Sequence, residues 1–169
     1  KCIEIAGVQG DQTNTARMNG YKAGVEEAGG TFLSDEVQYA DATADRATTA
    51  MEAIMQTHPE GIAIICANND DMAMAAARAA QVAGARRVEQ YRPGDVAPVL
   101  LRAACEAILD GQMTMSVAQM AYEMGYKAVE TMVQVLDGET VDEFVDSGSD
   151  VVTPDNAQER LDTLKTQLH

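Results

Sequence analysis

Four polar residues in a row, Asn68, Asn69, Asp70 and Asp71, separate the apolar run IICA (64–67) from the alanine-rich stretch that follows. Three chemistries suit such a set. Paired carboxylates at a strand end can hold magnesium, as in phosphoryl-receiving α/β domains. A single Asn or Asp can cap a helix, with acids in its first turn favouring the dipole. Mixed amides and carboxylates offer donors and acceptors together, as vicinal sugar hydroxyls require. The magnesium pocket also needs an acceptor Asp and a Lys on neighbouring strand ends. The first strand-like run exits through GVQGDQ (7–12), where Asp11 is the only carboxylate, and no Lys follows a later strand. Capping uses one side chain of the four. A sugar site takes Asn69 or Asp70 from here and Arg17, a planar fork of donors, from beyond the first strand.

Other reactive groupings find little support. There is no Gly-x-Ser-x-Gly elbow, and neither His58 nor His169 sits near a Ser or Cys in a nucleophile pattern. His58, just before Pro59 at a helix end, reads as a partner of the helix dipole. GVQGDQ lacks both the dinucleotide and the P-loop glycine patterns. Cys2, Cys66 and Cys105 have no CxxC spacing, so no zinc site is expected, and Cys2 and Cys66 read as small buried hydrophobes. The expectation is a protein with no catalytic residue, metal or cofactor. Its net charge of −15 argues against a nucleic-acid partner. No apolar run is long enough to span a membrane. Lys1 lies immediately inside a strand-like run with no initiator Met or signal peptide, so the start is expected to be a cut.

These residues must be carried by regular elements. With 169 residues, 46% of them hydrophobic, the chain can bury one substantial core. CIEIAGV (2–8), TFLSDEVQYA (31–40, with its exit loop) and EGIAIICA (60–67) read as strands. Helical patterns follow each of them, ending near Gly29-Gly30, Pro59 and Gly84. Alternating strands and amphipathic helices predict an α/β fold, a doubly wound parallel sheet of Rossmann-like type, with ligands at the carboxyl ends of its strands. Residues 85–102 fit poorly. They carry Arg86, Arg87, Arg92 and Arg102, and only VAPVLL (96–101) could supply the strand due there, demoted to an edge by Pro98. A helix over AACEAILDGQ, a half-buried strand over MTMSVAQ (113–119), a long amphipathic helix over 120–137, a further strand and a terminal helix complete the reading.

Taken together, TARMNGYKAG (15–24), HPEGIAIICANNDDMAMAAARAAQVAG (58–84) and DGQMTMSVAQ (110–119) resemble the sugar-binding periplasmic proteins of the ribose- and galactose-binding type, which feed ABC importers. The resemblance covers that family's second lobe and the segments after it. It implies that Arg17, Asn69 and Gln119 contact the sugar, with Asp70 beside Asn69 capping the helix and included in the ligand set. It implies no chemistry, a small carbohydrate and an ABC permease as partners, and a periplasmic or extracellular, lipid-anchored location. It divides the chain into a lobe at 1–112, a hinge strand and crossover helix at 113–150 that pack on a preceding lobe, and a return segment at 151–169. Without that lobe, weak sugar binding and a homodimer through the 120–137 helix are expected. Two departures bear on the site. The family's strand ending in an Asp ligand has no counterpart in 85–102, where Asp95 is the only Asp, and Ala44 stands where relatives place a stacking aromatic. Two alternatives remain: the effector domain of a LacI-type repressor, and a phosphoryl-receiving domain built on Asp11, Asp70 and Asp71.

Overall fold

The run CIEIA forms β1 (Cys2–Ala6), buried along its whole length. A computed structural model of the chain describes residues 1–83, 90–91, 93–94 and 98–167. After β1 come α1 (Gln12–Glu27), β2 (Gln38–Tyr39), α2 (Ala44–Thr57), β3 (Ile64–Ala67), α3 (Asp70–Val82) and β4 (Gln90–Tyr91). The four strands form one sheet in the order β2-β1-β3-β4, every pairing parallel. Continuous burial of β1 follows from this arrangement, because a parallel sheet is covered on both faces. Ile3, Ile5 and Ile65 join Met51, Ile54, Met72 and the alanines of α3 in the main core. Cys2 and Cys66 face the other way, where α1 brings Tyr21 down beside Phe32. Small side chains on α3, among them Ala73, Ala76, Ala77 and Ala80, let it lie close on its neighbours.

The chain continues through β5 (Pro93–Gly94), α4 (Pro98–Leu109), β6 (Ser116–Gln119), α5 (Ala121–Leu136), β7 (Ser149–Val152) and α6 (Ala157–Gln167). A second sheet runs β5-β6-β7, with β6 parallel to β5 and antiparallel to β7. Ala118, Val152, Leu161 and Leu164 bury in the same core as β1 and β3. Helix α5 does not: Tyr122, Val129 and Leu136 are 73%, 66% and 77% exposed along it.

Two strand expectations change. TFLSDEVQYA is not one strand but an isolated bridge from Phe32 to Cys2, a 3-10 turn over Ser34–Glu36, and the short β2. VAPVLL is not an edge strand, because Pro98 opens α4. Proline suits a helix start, where its fixed φ is helical and its missing N–H has no bond to lose. The parallel pairing expected of that stretch falls instead to β4 and β5. Arg86, Arg87, Arg92 and Asp95 lie outside the described residues.

Candidate functional site

The carboxyl ends of β1 and β3 lie side by side, with Ile5 paired to Ala67, so the loops leaving them share one mouth. Residues 7–11 leave β1 and enter α1, where Asp11 is the cap and its Oδ1 accepts from Asn14 N at 2.8 Å. Residues 68–69 leave β3 and enter α3. Here Asn69 is the cap: its Oδ1 accepts from Met72 N at 2.9 Å. Its Nδ2 donates to Ala42 O at 3.0 Å, on the loop between β2 and α2. An amide has two donor hydrogens and two acceptor lone pairs. Asn69 therefore keeps one donor and one acceptor for the mouth.

The cap corrects the sequence reading: Asp70, expected to cap the helix, is fully buried, and Ser116 Oγ donates to its Oδ1 at 3.3 Å. The cap falls to Asn69 because the residue before the first helical one has the extended backbone that aims its side chain at the free amides. The bond to Asp70 ties the start of β6 to the start of α3. From there β6 carries Gln119 three residues onward, roughly 10 Å along the strand, and leaves it exposed. Arg17 sits on the second turn of α1, half-buried. The mouth thus brings together the loop of Asn69 and the helix of Arg17, with Gln119 further out. Asp71 is exposed, so the three acids of the magnesium reading have separate places: one caps α1, one is buried against β6, one faces solvent.

Residues without a sequence assignment line the floor of the mouth. Asn14 and Asn68 are 4% and 2% exposed. Gly7 N donates to Asn14 Oδ1 at 2.6 Å, and Asn68 bonds Asn14 side chain to side chain. A Cβ on Gly7 would meet Asn14 Oδ1 at 3.1 Å, so a larger residue would press on the first turn of α1. Beneath them Glu4 is fully buried, and that burial pushes its carboxyl up to about 7 against the opposing hydrogen bond to Asn68. The signal for Glu4 was in the sequence: it is the only charge in the apolar run CIEIA. On the rim, Asp41 and Ala42 both have positive φ, 47° and 59°, a conformation that costs an L-residue free energy and that clusters at functional sites. Ala44, in place of an aromatic, is half-buried against the core and offers no ring to the mouth.

Comparison with known proteins fits this geometry. Residues 1–140 match the periplasmic binding protein domain. The chain is 31% identical over 144 residues to the ribose import binding protein RbsB of Escherichia coli (strain K12), spanning 83% of this chain and 45% of that protein. An ABC transporter solute-binding protein from Bacillus halodurans C-125, solved with bound myo-inositol, is 27% identical with a TM-score of 0.74, over 95% of this chain and 54% of the other. The periplasmic component of the arabinose ABC transporter from Shewanella sp. ANA-3, bound to α- and β-L-arabinofuranose, shares the fold at a TM-score of 0.81 and 19% identity, over 99% of this chain and 55% of the other. The chain therefore spans about half the length of the relatives it matches. With most of its residues matched to one domain, and that match shared by the sheet and the mouth loops alike, the chain belongs to the periplasmic binding protein domain family.

Proposed function

We propose that this chain is the sugar-binding part of a solute-binding protein that serves an ABC importer. The observation that carries the reading is the mouth at β1 and β3. Its polar groups, a half-satisfied Asn69 amide and the guanidinium of Arg17, offer donors and an acceptor together, as vicinal hydroxyls require. Likeness to a ribose import protein supports a small carbohydrate as the ligand. The protein binds without chemistry. In a chain of family length, 1–112 is one lobe, 113–150 crosses to the other, and 151–169 returns, with Gln119 at the crossing. Closure of the two lobes over the sugar presents a shape to the permease. The protein works in the periplasm or at the cell exterior, held there by a lipid anchor. Arg17 and Asn69 touch the sugar, while Asp70 holds the base of β6 against the loop. This reading is favoured over a repressor effector domain or a magnesium-dependent receiver, since the relatives are import proteins.

Calorimetry with D-ribose on a family-length protein containing this chain tests the site. Asn69→Ala and Arg17→Ala should each weaken binding by roughly 1–3 kcal/mol, the cost of leaving a buried polar partner unpaired. Unchanged affinity in both variants would remove them from the site. Magnesium binding abolished by Asp70→Asn would revive the receiver reading.

A further inference from the structure

Beneath the mouth lies a buried chain of polar groups that ligand contact does not use. Glu4 points to the α1 side of the sheet, level with Cys66 on β3. Its Oε2 is buried with no hydrogen-bond partner among the described residues. Its Oε1 meets the side-chain amide of Asn68, and that amide can sit either way round. With nitrogen toward Glu4, Nδ2 donates to Oε1 at 2.8 Å and the amide oxygen accepts from Gly7 N at 3.3 Å. The Asn68 oxygen then faces Asn14, which must turn its own nitrogen inward to meet it, giving up the bond it accepts from Gly7. With oxygen toward Glu4, Asn68 Nδ2 donates to Asn14 Oδ1, which also accepts from Gly7 N at 2.6 Å. In this second arrangement the contact to Glu4 is oxygen to oxygen, and it closes as a hydrogen bond only when the carboxyl carries a proton. The oxygen-inward arrangement requires the proton, whereas the nitrogen-inward one suits either charge state, because a neutral carboxyl keeps one acceptor oxygen, but it gives up the short Gly7–Asn14 bond.

We propose that Glu4 is a positioning residue for the mouth: its proton sets which way round the Asn68 amide sits, and the Asn68–Asn14 pair passes that choice to the Gly7 N–H. The relay spans both loops, since Gly7 and Asn14 flank the loop after β1 and Asn68 opens the loop after β3. Asn68 also directly precedes Asn69, the residue proposed to touch sugar. The other titratable or charged groups on this side are Cys2 on β1, Cys66 on β3, and Tyr21 and the half-buried Arg17 on the covering helix. Cys2 and Cys66 share one thiol–thiol hydrogen bond at 3.5 Å. Burial of Glu4 brings its own titration to about neutrality, where a change of pH reads the relay directly.

The proposal rests on the sugar-binding reading for its purpose but not for its test. Proton–nitrogen NMR spectra of the 169-residue chain from pH 5 to pH 9 follow the Gly7 amide and the side-chain amides of Asn14 and Asn68. The three signals should move together, with one midpoint shared by the carboxyl carbon of Glu4. The movement should vanish in Glu4→Gln and persist in Cys2→Ser. A Gly7 signal that stays flat, or a midpoint that follows the thiols, overturns the relay. So does a Glu4 carbon that titrates apart from the amides, a readout needing only the unaltered protein if Glu4→Gln does not fold. Titrating D-ribose into the family-length protein separates the two ideas. Failure of that protein to bind counts against the sugar reading, while the pH series on the 169-residue chain still decides the relay. Where ribose binds, its dissociation constant should change by roughly threefold or more between pH 6 and pH 8, and not in Glu4→Gln. A constant value overturns the positioning role.

Discussion

At the scale of single residues, burial and hydrogen bonding decide which ionisable groups bear on stability. Glu4 is the costly one. Its carboxyl titrates at about 7 in the folded chain against an ordinary 4.5, chiefly through burial. The folded state therefore holds a proton that the unfolded state has released between those values. Stability is full below the ordinary value and falls as pH rises through 7, by roughly 3 kcal/mol at the high end. Urea denaturation across this range should show that slope in the unaltered chain and lose it in Glu4→Gln. His58 adds a slope of the same sign from another cause. Its Nε2 lies 2.6 Å from Glu36 and its Nδ1 3.3 Å from Glu60, and these bonds raise its titration. Its contribution is complete below the ordinary histidine value and is lost as pH rises through the raised one. His58→Gln should remove that part of the slope and leave the part due to Glu4. The sequence showed His58 at a helix end, and it is indeed the C-cap of α2. Its carboxylate partners were not legible, because Glu36 is 22 residues away and reaches it only through the fold.

Elements set which of these neighbours can meet. In the register of β1 and β3, Cys2 pairs with Ile64 and Glu4 with Cys66, so the two cysteines form a diagonal pair. Such diagonals separate the backbones by roughly 7–8 Å, beyond the roughly 4.4–6.8 Å a disulfide spans. The Cys66 thiol is also pushed up, by its bond with Cys2 and by burial. Both thiols should stay reduced even in an oxidising compartment. A thiol reagent should find them only after denaturation, and a native chain resistant to labelling both before and after unfolding would instead reveal a bridge. Much at this scale was written in the sequence. Apolar runs marked β1 and β3, and period and breakers marked α1, α2 and α3, because those elements bury whole faces. What failed was short or borrowed. The paired part of β2 is two residues long, too short to show alternation. VAPVLL is apolar in either state, and Pro98 admits both an edge strand and a helix start. At the mouth, Asn69 was legible as a polar residue at a strand end, whereas its cap and the roles of Asn14 and Asn68 depend on how two loops meet.

For the whole molecule, the unusual feature is α5. Tyr122, Tyr126, Val129, Val133 and Leu136 recur at spacings of four and three, the pattern of a coiled-coil seam, and all are at least half exposed. Beside them a groove of about 620 Å³ runs between α5 and the following loop, lined by Met124, Met132, Val135 and Val145. Met132, 60% exposed, extends this apolar face along α5, and a contiguous exposed apolar face marks an interaction surface. In the proposed family-length protein the other lobe covers this face; in the 169-residue chain a second copy should do so. An antiparallel pair centred at Glu130 sets Glu130 beside its own copy and Glu123 beside Asp137, so like charges oppose the apolar gain. The net charge of −15 adds to that repulsion. Salt screens such exposed charges, with a Debye length of about 10 Å at 0.1 M falling to about 3 Å at 1 M. Sedimentation should therefore show a dimer that tightens as salt rises, the reverse of an association built on ion pairs. Val129→Glu should return the chain to monomer while the circular dichroism of the fold is kept, since α5 stands outside the shared core. A monomer at every salt concentration would mean that this face waits for the other lobe alone.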